Sequence, residues 1–288
     1  MQYEDSLLNP KYLKKFLGDN HLPPLERFGQ NFLIDLFVLE DIVNACETNP
    51  QRPVIEVGSG FGVLSRALAA KRADSENPSP IYSIEFDRRV VPILKNLVKD
   101  FPTIKVIEND ILRVYPDSLI EQQEYEVAGN IPYNITSKII KHVLSWNPKP
   151  KSVTFLVDYE VAKRVTAQPG ELSILALSVQ VYAEPRIVGN YIPPIAFMPV
   201  PKINSAILRM ELRDQPLVSK EEEKEFFRLL KGGFSQKRKT LLNSLRAFWQ
   251  LDSKEAEKIF KLAGIDPTRR PQTLSIEEWK KLLEESQK

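Results

Sequence analysis

Residues 53–62 read PVIEVGSGFG, a short apolar run that leads into a turn with glycine at every second position. Apolar residues then recur at helical spacing at Val63, Leu64, Ala67 and Leu68. A buried strand, a glycine turn and a helix form the first unit of a doubly wound sheet, whose ligands bind beyond the carboxyl ends of the strands. The stretch therefore predicts an α/β domain with a ligand site at the end of its first strand.

The spacing of the glycines indicates which kind of ligand this turn binds. A dinucleotide fingerprint places its third glycine three positions after the second, so that a helix start faces the pyrophosphate. Here Gly62 follows Gly60 by two positions, and Glu56 stands two before Gly58. A carboxylate there is poorly placed for a diphosphate and well placed for a cation or for a nucleoside with free hydroxyls. The pattern favours S-adenosylmethionine over NAD, and a nicotinamide oxidoreductase is the least favoured alternative.

A polar residue stands at the end of each of the next strands. These strands are predicted at residues 81–85, 104–108 and 125–129, with a helix at 87–99 and a fifth, buried strand at 152–158. Because the strand ends of a parallel sheet share one crevice, we expect Gly58, Glu85, Asp110 and Asn130 to lie together. We expect Glu85 to bind both ribose hydroxyls and Asp110 to accept from the adenine amine of the cofactor. Glu85 could instead serve the helix dipole, but Asp87 is the better candidate for that cap.

The fourth strand end carries the residues Asn130-Ile131-Pro132-Tyr133. The Asn130 amide oxygen and the Ile131 carbonyl can each accept one N–H of an exocyclic amine, while Pro132 forces a turn and Tyr133 offers a face for stacking. Such a pocket suits chemistry at N6 of adenine. Asparagine and proline are also ordinary turn residues, so the motif needs support from the rest of the chain.

A proline-stiffened loop at residues 192–202 contains Phe197. We expect Phe197 to be exposed and to cover the face of the base opposite Tyr133. The alternative is an aromatic side chain that fills the core. The last two strands are predicted on either side of this loop, at residues 186–192 and 205–212.

The composition predicts three segments. Residues 1–26 read as a polar lead-in, residues 27–214 as the α/β domain, and residues 215–288 as a small all-helical domain. Within the α/β domain a helix is predicted at residues 36–45, with Asp35 as its N-cap. The helical domain is predicted to contain helices at residues 222–231, 236–249, 253–262 and 275–283, with Ser253 and Ser275 as caps.

Basic residues cluster in the helical segment although the net charge of the chain is only +2. Residues 231–246 contain no acidic residue and five basic ones, which are Lys231, Lys237, Arg238, Lys239 and Arg246, and Arg269 and Arg270 follow. This pattern predicts phosphate binding and a nucleic-acid partner. A solvated helix face is the alternative.

Composition also limits the chemistry and the compartment. One cysteine, Cys46, cannot form an internal disulfide, and two histidines do not make a zinc ligand set. We therefore expect metal-free chemistry in a reducing, cytoplasmic setting. No apolar run approaches a membrane span, and the polar amino terminus is unlike a secretory signal.

Together these residues resemble the ribosomal RNA adenine dimethyltransferase family, and within it the small-subunit dimethyltransferase A group. The resemblance runs from about residue 27 to residue 283. It rests on five motifs in the family's order: Gly29-Gln30-Asn31-Phe32-Leu33, residues 56–62, residues 130–133, the Phe197-x-Pro-x-Pro loop with Ser205, and residues 234–241. Departures are small: Ser59 stands where proline is frequent, Ile131 where leucine is frequent, and the loop before Ile81 is longer than usual.

The resemblance implies the activity and the roles of the residues. It implies transfer of methyl groups from S-adenosylmethionine to N6 of two adjacent adenosines in a hairpin loop near the 3′ end of small-subunit (16S) ribosomal RNA, within an assembling subunit, by a monomeric enzyme. The implied cofactor contacts are Asn31, Leu33, Gly58, Glu85, Asp110 and Asn130, with Gln30 and Glu56 near the methionine end. The implied base site comprises Asn130, Ile131, Pro132, Tyr133 and Phe197, and the implied RNA contacts are Lys237, Arg238, Lys239 and Arg246.

Two alternatives remain from the sequence. One is a large-subunit adenine methyltransferase of the macrolide-resistance type, although residues 264–275 look more like the small-subunit group. The other is a nucleic-acid-binding factor that keeps the methyltransferase fold, as in the mitochondrial transcription factors. The intact motif at residues 130–133 and the complete set of acids argue against that factor.

Overall fold

The computed structural model of the chain describes residues 6–25, 29–120, 124–236 and 239–288. The chain divides into two compact units. The first comprises Met1–Ala162 and Pro185–Leu212, and the second comprises Lys163–Glu184 and Arg213–Lys288. The change in composition near residue 214 thus lies close to one point at which the chain passes between the units, while residues 163–184 also belong to the helical unit.

The first unit is built on a mainly parallel sheet. Its strands are β2 (Val54–Val57), β3 (Ile81–Glu85), β4 (Ile104–Glu108), β5 (Glu126–Asn130), β6 (Ser152–Asp158), β7 (Ala183–Ile192) and β9 (Ser205–Leu212), in the order β4-β3-β2-β5-β6-β9-β7. Strands β2 to β6 pair in parallel, and β9 runs antiparallel to β6. The reversal of strand order on either side of β2 confirms the predicted doubly wound architecture.

Helices and a short ribbon complete this unit. The helices are α1 (Pro10–Asp19), α2 (Leu36–Cys46), α3 (Val63–Lys71), α4 (Val91–Leu97), α5 (Thr136–Leu144) and the start of α6 (Tyr159–Val165). Strands β1 (Phe32–Leu33) and β8 (Phe197–Met198) pair antiparallel as a separate two-stranded ribbon. As predicted, Asp35 caps α2, because its carboxylate accepts from the backbone N–H groups of Phe37 and Val38.

Burial explains why these segments form the core of the unit. All four residues of β2 are buried, as expected of a strand covered on both faces. Helix α2 packs Leu39, Ile42 and Val43 into the same cluster, with each of them about 1% exposed. Cys46 ends this helix inside the cluster, and burial raises the pKa of its thiol to about 12, so it is an apolar core residue.

The register of the strands brings their carboxyl ends together. Glu56 pairs with Ser83 on one side and with Ala128 on the other. The residues that follow these pairs, Gly58 and Glu85 among them, therefore reach the same edge of the sheet. Gly129 permits the close approach of β5 to β2, because a Cβ there would lie 2.4 Å from the Val57 carbonyl oxygen.

The second unit is helical in its described residues apart from the first two residues of β7. Its helices are α7 (Ile174–Gln180), α8 (Glu223–Gly233), α9 (Leu241–Trp249), α10 (Ser253–Ala263) and α11 (Ile276–Ser286). Leu172, Leu177, Phe226, Leu230, Phe260 and Trp279 belong to one buried cluster. The unit therefore has its own hydrophobic core.

The start of one helix and the cap of another in this unit differ from the sequence prediction. Helix α9 begins at Leu241, where the Thr240 side chain accepts from the Asn243 N–H as its cap, whereas the prediction began this helix at residue 236. The cap of α10 is Asp252, which forms a capping box with Glu255, so the prediction of Ser253 was wrong by one residue. Ser275 caps α11 as predicted and forms a capping box with Glu278.

Among the described residues, no helix is long and apolar enough to cross a membrane. The same residues contain no group of three or more His, Cys, Asp or Glu side chains that could hold a metal ion.

Candidate functional site

A cleft of about 280 Å³ opens at the carboxyl edge of the sheet. The structure brings together there nearly all of the residues singled out from the sequence: Asn31, Leu33, Gly58, Glu85, Asp110, Asn130, Ile131, Pro132 and Tyr133. They come from β1 and from the ends of four parallel strands. The lining is mainly apolar with a few polar side chains, as in typical small-molecule sites.

The glycine turn forms the floor of the cleft in a backbone conformation that glycine adopts readily. Gly58, Gly60 and Gly62 all have positive φ, at 72°, 54° and 72°. The Gly60 N–H donates to Glu85 Oε2 at 2.8 Å. The Gly58 N–H donates to the Ile84 carbonyl at 3.0 Å. These bonds fix the turn against the end of β3. Because the turn residues are glycines, backbone, and not side chains, faces the cleft at these positions.

Glu85 is a buried carboxylate held by backbone N–H groups. Besides Gly60, the Asp87 N–H donates to it, on Oε1 at 2.8 Å. Burial raises the pKa of Glu85 above its usual value, although these hydrogen bonds act in the opposite direction. Each carboxylate oxygen retains a further lone pair, so both can accept hydroxyl hydrogens from a ligand in the cleft.

Asp110 is oriented by the turn that follows β4. Its Oδ1 accepts from the Leu112 N–H at 3.0 Å, and its own N–H donates to Asn109 Oδ1 at 2.8 Å. Asp110 is half-buried and lines the cleft one strand away from Glu85. The second carboxylate oxygen has no donor among the described residues.

Asp87 has a different role from the one predicted. Helix α4 begins only at Val91, so Asp87 is not its N-cap. Its carboxylate accepts from the Arg89 side chain, at 2.6 and 3.0 Å, and from Gln30 Nε2 at 2.9 Å. Although burial opposes ionisation, the hydrogen bonds from Arg89 and Gln30 lower the pKa of Asp87. Asp87 thus connects the turn before β1 to the end of β3.

Glu56 is part of the cleft lining, but its carboxylate is hydrogen-bonded to two buried serines. The residue is 1% exposed. Its Oε2 accepts from the hydroxyls of Ser65, on α3, and of Ser83, on β3, the latter at 2.9 Å. Burial raises the pKa of Glu56, and the hydroxyls partly offset that effect. The sequence did not single out either serine, because a hydroxyl inside an apolar pattern gives no signal before the strands are paired.

The amide nitrogen of Asn130 is engaged by a neighbouring backbone group. Its Nδ2 donates to the Asn31 carbonyl at 3.2 Å, and a carbonyl can only accept. This bond leaves the Asn130 amide oxygen for an incoming N–H, and that oxygen has no donor among the described residues. The acceptor role of Asn130 toward a ligand stays a prediction, and this bond leaves the oxygen available for it.

Tyr133 is a half-buried part of the cleft lining, and its hydroxyl bonds to Ser205 Oγ. Burial raises the pKa of Tyr133 to about 12, so the phenol is neutral at ordinary pH. Ser205 is fully buried at the start of β9. Sequence reasoning placed Ser205 in a motif without giving it a role.

Phe197 is not the exposed aromatic that the proline-rich loop predicted. It is 0% exposed, pairs with Leu33 between β8 and β1, and does not line the cleft. Its ring meets Tyr133 edge to face at a centroid distance of 6.5 Å and an interplanar angle of 81°. The loop instead exposes Ile195 and Val200, because the β1–β8 pairing turns Phe197 into the core.

The basic residues of the helical unit differ in how they are engaged. Lys237 and Arg238 lie outside the described residues, and Lys239 is exposed. Arg246 is exposed and donates to Ser253 Oγ at 2.7 Å. Arg269, which the sequence grouped with this cluster, forms a two-pronged ion pair with Glu278 and contacts Thr273. Arg269 therefore joins parts of the unit and is not a free phosphate contact.

Phe86 is one of the cleft residues that sequence reasoning missed. Phe86 follows Glu85, lines the cleft and is 55% exposed. An apolar side chain directly after a strand-end acid was the available signal. Its position suits contact with a flat ring that is held by Glu85 and Asp110.

Comparison with known proteins gives a consistent result along the sequence. A family model described as "Ribosomal RNA adenine dimethylase" matches residues 25–288. Proteins named "Ribosomal RNA small subunit methyltransferase A" are similar over most of their length. The protein from Clostridium botulinum (strain ATCC 19397 / Type A) is 37% identical over 260 residues, covering 89% of this chain and 92% of its own. That from Alkaliphilus oremlandii (strain OhILAs) is 36% identical over 282 residues, covering 96% of each.

Solved structures show the same similarity in three dimensions. The crystal structure of the 23S rRNA methyltransferase ErmE superposes with a TM-score of 0.71 at 27% identity, covering 90% of this chain and 100% of that one. A dimethyladenosine transferase from Plasmodium falciparum superposes with a TM-score of 0.73 at 22% identity, covering 87% and 95%. At 22% identity, the likeness to the Plasmodium falciparum protein shows a shared fold alone.

Proposed function

The chain belongs to the ribosomal RNA adenine dimethylase family, and on that premise we propose that it dimethylates N6 of two adjacent adenosines in small-subunit ribosomal RNA. It is an S-adenosylmethionine-dependent rRNA methyltransferase. The observation that carries the proposal is the convergence of Glu85, Asp110 and Asn130 in one cleft whose lining includes Tyr133. A nucleoside cofactor and a flat base can both be recognised there.

The residues present fit S-adenosylmethionine. When bound, this cofactor supplies an electrophilic methyl group on a sulfonium. Glu85 keeps acceptor capacity on both carboxylate oxygens for the ribose hydroxyls, and Asp110 keeps one oxygen for the adenine amine. The turn at Gly58 exposes backbone, and a Cβ there would approach the Asn130 carbonyl oxygen to 3.4 Å. Asn31, Leu33 and Asn130 complete the contacts that we assign to the cofactor.

The target adenine is held by acceptors that suit its amine. The N6 lone pair is delocalised into the ring, so N6 is a poor nucleophile until its hydrogens are bound. The Asn130 amide oxygen and the Ile131 carbonyl accept these hydrogens and favour a pyramidal nitrogen, and Pro132 sets the turn that aims the carbonyl. Tyr133 stacks on the ring, and Phe197 supports Tyr133 from the core. Positioning of N6 for in-line attack on the methyl group supplies most of the rate enhancement.

No general base is required before the transfer. The proton on the methylated, cationic nitrogen is acidic enough to leave to water. Neither histidine lies in the motifs around the cleft. The neutral amide of Asn130 tolerates an amine that already carries one methyl group, which a second transfer requires.

The helical segment at residues 215–288 binds the RNA backbone in this proposal. Lys237, Arg238, Lys239 and Arg246 contact phosphates, and the target base is unstacked into the pocket. The substrate is small-subunit ribosomal RNA within an assembling subunit, and the enzyme acts as a monomer in the cytoplasm.

The exchange Asn130→Ala tests the assigned chemistry. Loss of one preorganised polar contact in an active site lowers kcat by about 100- to 1000-fold, while calorimetry should show a much smaller change in cofactor affinity. Asn96→Ala, at an exposed position of α4, is the matched control. Wild-type turnover in the Asn130 variant would refute the role of Asn130.

A large-subunit substrate is the second candidate, because the similarity to ErmE covers 90% of this chain. Mass spectrometry of both ribosomal RNAs after incubation of each subunit with labelled cofactor separates the two. We expect label on adenosines of the small-subunit RNA. Label confined to the large-subunit RNA would favour the second candidate, and no label on either would favour a binding factor without transferase activity.

A further inference from the structure

Two tyrosine rings stand at the same edge of the sheet as Tyr133. Tyr159 directly follows β6, and Tyr191 is the penultimate residue of β7. Their rings meet edge to face with centroids 6.3 Å apart and planes at 69°. Tyr191 is 59% exposed and Tyr159 is half-buried. We call these two residues the tyrosine pair, and no step proposed above uses it.

Backbone pairing places the tyrosine pair beside the base site. Ser205, which bonds to the Tyr133 hydroxyl, lies opposite Asp158 in the β6–β9 pairing. The next N–H, that of Tyr159, donates to the Asn204 carbonyl at 3.0 Å. Tyr133 comes shortly after β5, and Tyr159 directly follows β6. These two strands pair with each other, and paired strands are about 5 Å apart. The tyrosine pair thus continues the aromatic edge of the pocket.

The chemistry of this surface fits an unpaired nucleobase. Aromatic rings stack on bases of any sequence, and exposed tyrosines are typical of single-strand RNA sites. Residues 185–204 contain two basic residues, Arg186 and Lys202, and no acidic residue. Lys202 is exposed. Residues 185–204 therefore present no carboxylate that would repel a polyanionic strand, and the acids that adjoin the tyrosine pair are Asp158 and the exposed Glu160.

We propose that the tyrosine pair binds the base next to the adenosine that occupies the pocket. Two neighbouring adenosines cannot enter one pocket together, so the second needs a position outside it during each transfer. The tyrosine pair supplies a stacking surface for the second adenosine, one strand away from Tyr133. This inference rests on the proposed function, which requires two adjacent target adenosines.

Exchange of the exposed tyrosine tests the proposal. Tyr191→Ala should raise the KM for unmethylated small ribosomal subunits at least about fivefold, the lower limit for loss of one stacked base, with unchanged affinity for S-adenosylmethionine by calorimetry. Tyr191→Phe keeps the ring and should retain the wild-type KM. Tyr115→Ala removes an equally exposed ring, 55% exposed, that contacts His142, and serves as the control. Mass spectrometry should also show a changed ratio of methyl groups on the two adenosines with the Tyr191→Ala variant alone.

Binding of the same subunits without cofactor separates this inference from the proposed function. Wild-type protein that binds subunits but transfers no methyl group would overturn the function, while the loss of affinity in Tyr191→Ala would still report on the tyrosine pair. If Tyr191→Ala binds and methylates like the wild type, or if Tyr191→Phe is as impaired as Tyr191→Ala, the stacking role is wrong.

Discussion

At the scale of single residues, Tyr133 shows how a side chain that lines the cleft is held in place by its neighbours. Its hydroxyl is fixed by Ser205 and its ring edge by Phe197. Both partners are fully buried, so neither is free to move with the ring. The orientation of the Tyr133 ring is therefore set by two residues that do not line the cleft.

Removal of the Ser205 hydroxyl should impair catalysis indirectly. In Ser205→Ala the Tyr133 ring loses one of its two restraints, and kcat should fall roughly tenfold, a loss of about 1.4 kcal/mol of transition-state stabilisation. The affinity for cofactor, measured by calorimetry, should not change. Tyr133→Phe should have a similar effect, and the double variant should be no worse than either single one, because both remove the same bond. Additive losses would show that Ser205 acts in some other way.

Glu56 provides a pH-dependent test of the buried hydrogen-bond network. Burial raises the pKa of Glu56 above its ordinary value of 4.5, so the folded state binds this proton more tightly than the unfolded chain. The stabilising contribution is complete below the ordinary pKa and is lost as the pH rises through the raised value. Glutamine does not titrate. The Tm of Glu56→Gln relative to wild type should therefore improve as the pH is raised from 5 to 8.

Thermal unfolding across that pH range checks this expectation. Glu257→Gln, at an exposed position of α10, controls for the loss of one surface carboxylate. If the Tm difference between Glu56→Gln and wild type is constant with pH, Glu56 does not bind a proton differently in the folded state.

At the scale of elements, two helical glycines differ in how closely other residues pack against them. A Cβ at Gly233, the last residue of α8, would lie 2.4 Å from the ring of Trp279 on α11. Trp279 is fully buried, so its ring has no space to retreat. By contrast, a Cβ at Gly18 in α1 would meet nothing within 4 Å.

The two glycines should therefore respond oppositely to the same exchange. Gly233→Ala should destabilise the helical unit by about 1–3 kcal/mol through overpacking. Gly18→Ala should stabilise α1 by up to about 1 kcal/mol, the helix propensity gained. Chemical denaturation monitored by tryptophan fluorescence measures the first, and circular dichroism measures both. Equal effects of the two exchanges would contradict the packing argument.

The sequence predicted the elements that its local pattern controls. The glycine turn, the acids at the strand ends and the Asp35 cap follow from short stretches, and the structure places them as expected. Phe197 and Asp87 were mispredicted because each depends on a distant partner: β1 turns Phe197 inward, and Gln30 engages Asp87 from 57 positions away. The serines around Glu56 were missed for the same reason, since only strand pairing brings Ser83 to that carboxylate.

At the scale of the whole molecule, charge distribution matters more than net charge. The chain carries 40 basic and 38 acidic residues, which gives a net charge of +2. So small a net charge attracts RNA weakly over long distances. Affinity must then come from local clusters, and the acid-free segment at residues 231–246 is the strongest of these in the sequence.

Charge reversal within this segment should weaken RNA binding in a salt-dependent way. The triple exchange of Lys237, Arg238 and Lys239 to Glu should lower affinity for small-subunit RNA at least about tenfold at roughly 100 mM salt, and each lost phosphate contact should reduce the slope of log affinity against log salt by about 0.7–0.9. Cofactor affinity should be retained. The control reverses Lys11, Lys14 and Lys95, which are exposed on α1 and α4 and change the net charge equally. Filter binding across a salt series distinguishes the outcomes: equal losses in the two triple variants would mean that overall charge, and not this segment of the helical unit, holds the RNA.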